Sequence, residues 1–147
     1  MKILVIHGPN LNRLGQRDED IYGDVALDDI NARLTDRASR LNKDIVLDFF
    51  QSNSEGTIID YIQSAAADGI IINPAALTHY GLSLRDGLDD KKLPVIEVHL
   101  SNIHAREEWR HDSVIAPVAI GQISGFGYRS YIAALELMYD ILNEETN

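Results

Sequence analysis

No cysteine occurs in the 147 residues, so disulfides and thiolate metal sites are excluded. Lysine is confined to Lys2, Lys43, Lys91 and Lys92. All four stand at the starts of apolar, strand-like runs or in the loops leading to them, so a Schiff-base nucleophile has no candidate where those runs end. Cations are the minority: 13 Lys+Arg against 23 Asp+Glu give a formal net charge of −10. That balance repels nucleic-acid phosphates and anionic membrane surfaces. No apolar run approaches the roughly 20 residues needed to cross a bilayer. A GxSxG elbow is missing, which argues against serine hydrolase chemistry. Met1-Lys2 runs straight into a strand-like segment without signal-peptide architecture, and the expected location is cytoplasmic. A small-molecule ligand is the partner class left, with neither nucleic acid nor membrane expected.

With 45% hydrophobic and 24% charged residues, the chain suits a single domain over residues 1–147 with a sizeable core. Apolar, β-branched runs at Ile3 to Ile6, Ile45 to Phe50, Ile70 to Ile72, Val95 to Val98 and Ala116 to Ile120 have the composition of strands buried on both faces of a parallel sheet. Helical stripes lie between them: Leu27, Ile30, Leu34, Ala38 and Leu41; Ile58, Ile59, Ile62 and Ala66; Ile132, Leu135, Met138, Tyr139 and Leu142. Ser52 followed by Glu55 has the pattern of a capping box opening the second stripe. Pro94 and Pro117 stand where strands begin, consistent with exclusion from helices. The alternation reads βαβαβαβαβα. It predicts an α/β fold, a doubly wound sheet of five parallel strands with helices on both faces.

Three polar clusters follow three of these strands: His7-Gly8-Pro9-Asn10-Leu11-Asn12-Arg13, Asn73-Pro74-Ala75-Ala76-Leu77-Thr78-His79, and Glu97 through Arg110. In a doubly wound sheet, ligands sit outside the carboxyl ends of the strands near the point where strand order reverses. One shared crevice is therefore expected. The connection from Gly8 to Gly23 lacks an apolar stripe and carries Arg17-Asp18-Glu19-Asp20, the character of a lid or binding loop.

Glu97 and His99 are two apart, so on an extended chain they share a side, and the carboxylate can fix the imidazole's tautomer and favour its protonated form. A general acid is the reading. His79 gains from the same context, His104 and His111 read as surface residues in a charged helical stretch, and His7 fits either role. Glu97 and His99 are conceivable metal ligands, but no HxH or HExxH spacing supports a metal. Gly121 and Gly125-Phe126-Gly127 match neither GxGxxG nor a P-loop and read as a turn needing positive φ. Tyr22 is the candidate base in the lid. A phenol is a poor base at neutral pH unless cations hold its anion, which for about 3 pH units takes roughly 4 kcal/mol. Arg17 and Arg110 are the nominated pair.

Taken together, Gly8-Pro9-Asn10-Leu11-Asn12, Leu14-Gly15-x-Arg17-x4-Tyr22-Gly23, Gln51-Ser52-Asn53-x-Glu55-Gly56, Asn73-x3-Leu77-Thr78-His79, Leu84-Arg85-Asp86 and Glu97-Val98-His99-x-Ser101-Asn102-x-His104-x-Arg106-Glu107-Glu108-x-Arg110 resemble type II 3-dehydroquinate dehydratases. The resemblance spans essentially the whole chain, with motifs in family order and at family spacing. It implies a flavodoxin-like fold and a cofactor-free, metal-free anti elimination of water from 3-dehydroquinate to 3-dehydroshikimate.

By that resemblance Tyr22, activated by Arg17 and Arg110, removes the C2 proton. Asn10 stabilises the enolate through a water, and His99, oriented by Glu97, protonates the departing hydroxyl. Asn73, Ser101 and the Leu100 amide hold the substrate carboxylate. His79 and Arg110 bind ring hydroxyls, and Asp86 contributes across a subunit boundary in a dodecamer of four trimers. Pro74-Ala75-Ala76 and Leu100 depart slightly from the family pattern, and the lid is more acidic than in many relatives. The alternative class is a flavodoxin-like binding or signalling module. A phosphoacceptor receiver needs an acidic cluster after the first strand and an aspartate ending the third, where this chain has His7-Gly8-Pro9-Asn10 and Asn73. A flavin module wants a Ser/Thr-rich phosphate loop, and Gly8 to Leu14 holds neither residue.

Overall fold

Three short β-branched segments, each flanked by polar turns, form the centre of the molecule. The computed structural model describes residues 1–146. Strands β1 (Lys2–His7), β2 (Val46–Gln51), β3 (Gly69–Asn73), β4 (Val95–His99) and β5 (Gly121–Ser124) make one wholly parallel sheet in the order β2-β1-β3-β4-β5. β3 is buried at every residue, which is why it reads as an unbroken apolar run rather than an alternating one, and β4 is as fully buried although Glu97 and His99 interrupt its apolar residues. The edge strand β2 is half-buried.

One face of the sheet is covered by α2 (Leu27–Leu41) and α5 (Arg129–Thr146), which bury Ile30, Leu34, Tyr131, Leu135 and Met138 against Ile3, Val5 and Ile71. The other face takes α3 (Glu55–Ser64) and α4 (Leu82–Lys91), with Ile58, Ile62, Leu84 and Leu88 packed on Leu4, Ile6, Ile70 and Ile72. Helices on both faces of a five-stranded parallel sheet are the architecture expected. Each fully buried aliphatic side chain contributes about 1.5–3 kcal/mol. Among the described residues, no helix is long and apolar enough to cross a membrane.

Five local expectations are corrected. Ala116 to Ile120 is not a strand: Ala116–Val118 is a 3-10 turn and β5 begins at Gly121. The Ser113 hydroxyl accepts the Ile115 and Ala116 amides at 3.1 and 2.8 Å, and Pro117 has no amide to offer a ladder. Nor does an α-helix join β4 to β5. That connection is 3-10 turns at Ile103–Ala105, Glu108–Arg110 and Ala116–Val118, so the βα alternation breaks in its fourth unit, and His104 and His111 are not helical. The Ser52/Glu55 capping box does not form. Ser54 caps α3 by accepting from the Thr57 amide, while Ser52 accepts from Ser54 and Glu55 reaches the Leu84 amide on α4. α3 ends at Ser64, leaving Ala66 outside its stripe. The Gly8-to-Gly23 connection is also less open than a bare loop. It contains a 3-10 turn (Leu11–Arg13), a single helical turn α1 (Glu19–Tyr22), and the buried anchors Leu11 and Leu14.

His7 closes β1 with 1% of its surface exposed, stacked on Phe49 and bonded to Asn31 and Tyr131. Burial lowers its pKa to about 4, against a smaller opposing effect of the Asn31 hydrogen bond. An unfolded histidine titrates near 6.5, so below that pH the unfolded chain binds a proton that the native chain refuses. The resulting stability is complete above pH 6.5 and is lost as pH falls toward 4, by about 3 kcal/mol. Urea midpoints at pH 7 and pH 4.5 are therefore expected to differ less in His7→Asn than in the native chain. Equal differences would show that another group carries the acid limb.

Candidate active site

Strand order reverses between β1 and β3, and a crevice opens there at the carboxyl ends of β1, β3 and β4. All three polar clusters reach it. Gly8 lets the first turn pass close to the third strand's exit: its amide donates to the Asn73 carbonyl at 2.7 Å, and a Cβ there would stand 2.6 Å from the Pro74 oxygen. The chain then turns at Asn10, which takes a left-handed φ of 69° and lines the crevice.

Arg17 and Tyr22 come from the lid. The Arg17 guanidinium lies over the Tyr22 ring, its carbon 3.7 Å from the ring centroid. Arg106 donates from Nη2 to the Tyr22 hydroxyl at 2.9 Å and from Nη1 to the Ser101 hydroxyl at 3.3 Å. This corrects the nomination of Arg110 as the second cation on Tyr22. Arg110 lines the crevice, but its Nε is bonded to Glu107 and its guanidinium lies over the Trp109 ring. Arg106 and Arg110 are four residues apart in one charged stretch, and nothing in the pattern chooses between them. The intervening 3-10 turn at Glu108–Arg110 does.

Below this pair, His99 Nε2 is 2.9 Å from Glu97 Oε1. Glu97 is completely buried, yet both of its oxygens are served. Thr78 donates to Oε1, the Ser113 hydroxyl lies 2.9 and 3.1 Å from the two oxygens, and Gln122 Nε2 donates to Oε2 at 2.8 Å. Burial alone would push the carboxyl up, but hydrogen bonds from His99, Thr78 and Ser113 outweigh it and hold the group below the usual carboxylate range. The carboxylate thus fixes Nε2 as the protonated nitrogen of His99 and leaves Nδ1 to exchange a proton with a ligand. Thr78 lies in the second polar cluster, but Ser113 and Gln122 carried no signal in the sequence, because they reach Glu97 from the loop before Ala116 and from β5.

On the opposite wall, His79 bonds through Nδ1 to the Asp112 carbonyl at 2.8 Å and meets the edge of Trp109, leaving Nε2 for the crevice. Asn73, Leu100 and Ser101 line the same space. Asp86 does not: it is exposed on α4 and is absent from the walls of its own chain's crevice. None of the four lysines reaches the crevice, and no carboxylate is among its lining residues. Asp18, Glu19 and Asp20 of the lid are exposed and lie outside its walls. Among the described residues, no group of three or more His, Asp or Glu side chains is placed to hold a metal. The Gly125-to-Gly127 turn has φ of 100° and 59° at its glycines, and its amides are bonded to His99 O, Ser130 Oγ and Leu100 O rather than left for an anion.

A family model described as "Dehydroquinase class II" matches residues 1–139. The chain belongs to the class II dehydroquinase family. A 3-dehydroquinate dehydratase of Roseiflexus castenholzii is 60% identical over 138 residues, covering 92% of this chain and 87% of that protein. Another, of Geotalea daltonii, is 56% identical over 142 residues, covering 95% and 97%. Among solved structures, a type II dehydroquinase from Butyrivibrio crossotus superposes with a TM-score of 0.89 at 47% identity, covering 97% of each chain. One from Propionibacterium acnes gives 0.87 at 42%, covering 93% of this chain and 94% of that one. The 2-1-3-4-5 strand order, flavodoxin-like, is therefore shared with class II dehydroquinases of known structure.

Proposed function

We propose that this chain, acting as one domain over residues 1–147, is a 3-dehydroquinate dehydratase that eliminates water to give 3-dehydroshikimate without a Schiff base, metal or cofactor. The observation that carries this reading is the charge of the crevice. Arg17, Arg106, Arg110, His79 and His99 line it without a carboxylate, in a chain of formal net charge −10. Such a site selects a small anion against the field of the whole molecule.

Tyr22 is the base. Its support is the Arg106 hydrogen bond and the Arg17 guanidinium over the ring, two cations placed to hold a phenolate. The phenolate takes the C2 proton and leaves an enolate, which Asn10 stabilises through a water. Collapse of the enolate expels the hydroxyl, and His99 delivers from Nδ1 the proton that makes it water, while Nε2 stays on Glu97. Asn73, Ser101 and the Leu100 amide hold the carboxylate, and His79 with Arg110 binds ring hydroxyls.

The same reading includes a cytoplasmic dodecamer of four trimers, with Asp86 completing the crevice of a second copy. Its exposure on α4 is compatible with that role, and light scattering of the purified protein checks the assembly. The activity itself is tested by ultraviolet absorbance after chelator-treated protein is mixed with 3-dehydroquinate. A rise from the conjugated enone is expected; no rise in folded, assembled protein would reject the reading.

A further inference from the structure

Behind the crevice, four polar side chains from four different elements meet in one line. Asn31 of α2 stands with Oδ1 2.8 Å from His7 Nε2, and His7 Nδ1 is 2.8 Å from the Tyr131 hydroxyl of α5. Asn73, which ends β3 directly beside His7 in the strand register, offsets part of the rise that burial imposes on the Tyr131 hydroxyl. Asn73 Oδ1 accepts from the Ala75 amide at 3.1 Å. His7, Tyr131 and Asn73 are each at most 2% exposed, so water does not substitute for these partners.

The Ala75 end sets the direction of every other bond. A backbone N–H can only donate, so the Asn73 atom facing Ala75 is the carbonyl oxygen, and the Asn73 side chain acts on the Tyr131 hydroxyl as a donor does, which places the amide nitrogen on that side. The Tyr131 oxygen then accepts from Asn73, and its own hydrogen goes to His7 Nδ1. Nδ1 is thus the bare nitrogen of the imidazole, and Nε2 carries the hydrogen given to Asn31. Burial keeps His7 neutral, which preserves Nδ1 as an acceptor.

We infer that His7 and Tyr131 are positioning residues that hold the Asn73 amide with its nitrogen, not its oxygen, toward the ligand side, so that its second N–H is offered to the substrate's carboxylate. This rests on the reading above, in which Asn73 binds that carboxylate. A carbonyl oxygen turned to the same place would repel an anion, whereas an N–H makes a charge-assisted hydrogen bond. The cost of losing the arrangement therefore falls on substrate binding and not on the proton transfers at Tyr22 and His99.

Tyr131→Phe keeps the buried ring and removes only the hydroxyl. It is expected to raise KM for 3-dehydroquinate about ten-fold or more with kcat within about two-fold. A purely structural role would lower the melting temperature and leave KM where it was. His7→Leu, which has no acceptor for Tyr131, is expected to reproduce the KM rise. His7→Asn, whose Oδ1 occupies roughly the place of Nδ1, is expected to restore most of it, and this pair tests the inference should Tyr131→Phe fold poorly. Asn73→Ala separates the two layers of argument. If it raises KM while Tyr131→Phe and His7→Leu do not, the positioning role is overturned alone. If Asn73→Ala leaves KM unchanged, the reading of Asn73 as the carboxylate's partner falls and the inference falls with it.

Discussion

Tyr22→Phe is expected to fold as the native chain does and to lose about 10²–10⁴-fold in kcat, the range for removing a positioned general base. The side chain is half-buried, and its ring lies beneath the Arg17 guanidinium, a contact that phenylalanine keeps. What disappears is the oxygen that Arg106 donates to, the atom proposed above to accept the C2 proton. Substrate affinity should change far less than turnover, because the anion's other partners remain in place. Arg106→Met is expected to reproduce much of the loss by removing the hydrogen-bonding cation, and Arg110→Met to act mainly through KM. Steady-state rates with circular dichroism of each variant check this. Native turnover in folded Tyr22→Phe would sink the assignment of the base.

His99→Ala is the second large effect, an expected loss of about 10²–10⁴-fold in kcat. Its fold should survive because Glu97 keeps Thr78, Ser113 and Gln122 as donors when the imidazole is gone. Removing the carboxylate instead is a different experiment. Glu97→Gln would turn an amide N–H toward donors that require an acceptor, in a position with no exposure to water. That variant is expected to lose both stability and activity, whereas His99→Ala loses turnover with its thermal midpoint close to native. Thermal melts beside kinetics distinguish the two, and a large fall in the midpoint of His99→Ala would show that the imidazole is a structural partner first.

The strand and helix periods were legible where one physical effect dominated. Ile70 to Ile72 reads as a strand because both of its faces are buried, and the stripe from Leu27 to Leu41 reads as a helix because one face is. The reading failed where side chains compete for backbone groups. Ser113 captures two amides and turns Ala116–Val118 away from the sheet, and Ser54 takes the cap that Ser52 was expected to hold. At the site, the Glu97–His99 pair was legible because strand geometry ties residues two apart to one side.

Sequence alone therefore determined the sheet's strands apart from the last, and the end of the sheet where the polar clusters gather. These follow from local periods and from the rule that parallel strands end on one side. Only the tertiary structure decided that Arg106 rather than Arg110 donates to Tyr22, that Gln122 and Ser113 complete the Glu97 carboxylate, and that the His7 imidazole meets the Tyr131 hydroxyl. Each of these is a hydrogen bond between elements far apart in the chain. Its direction is set by which buried atom has a proton to give, a property that no spacing along the sequence encodes.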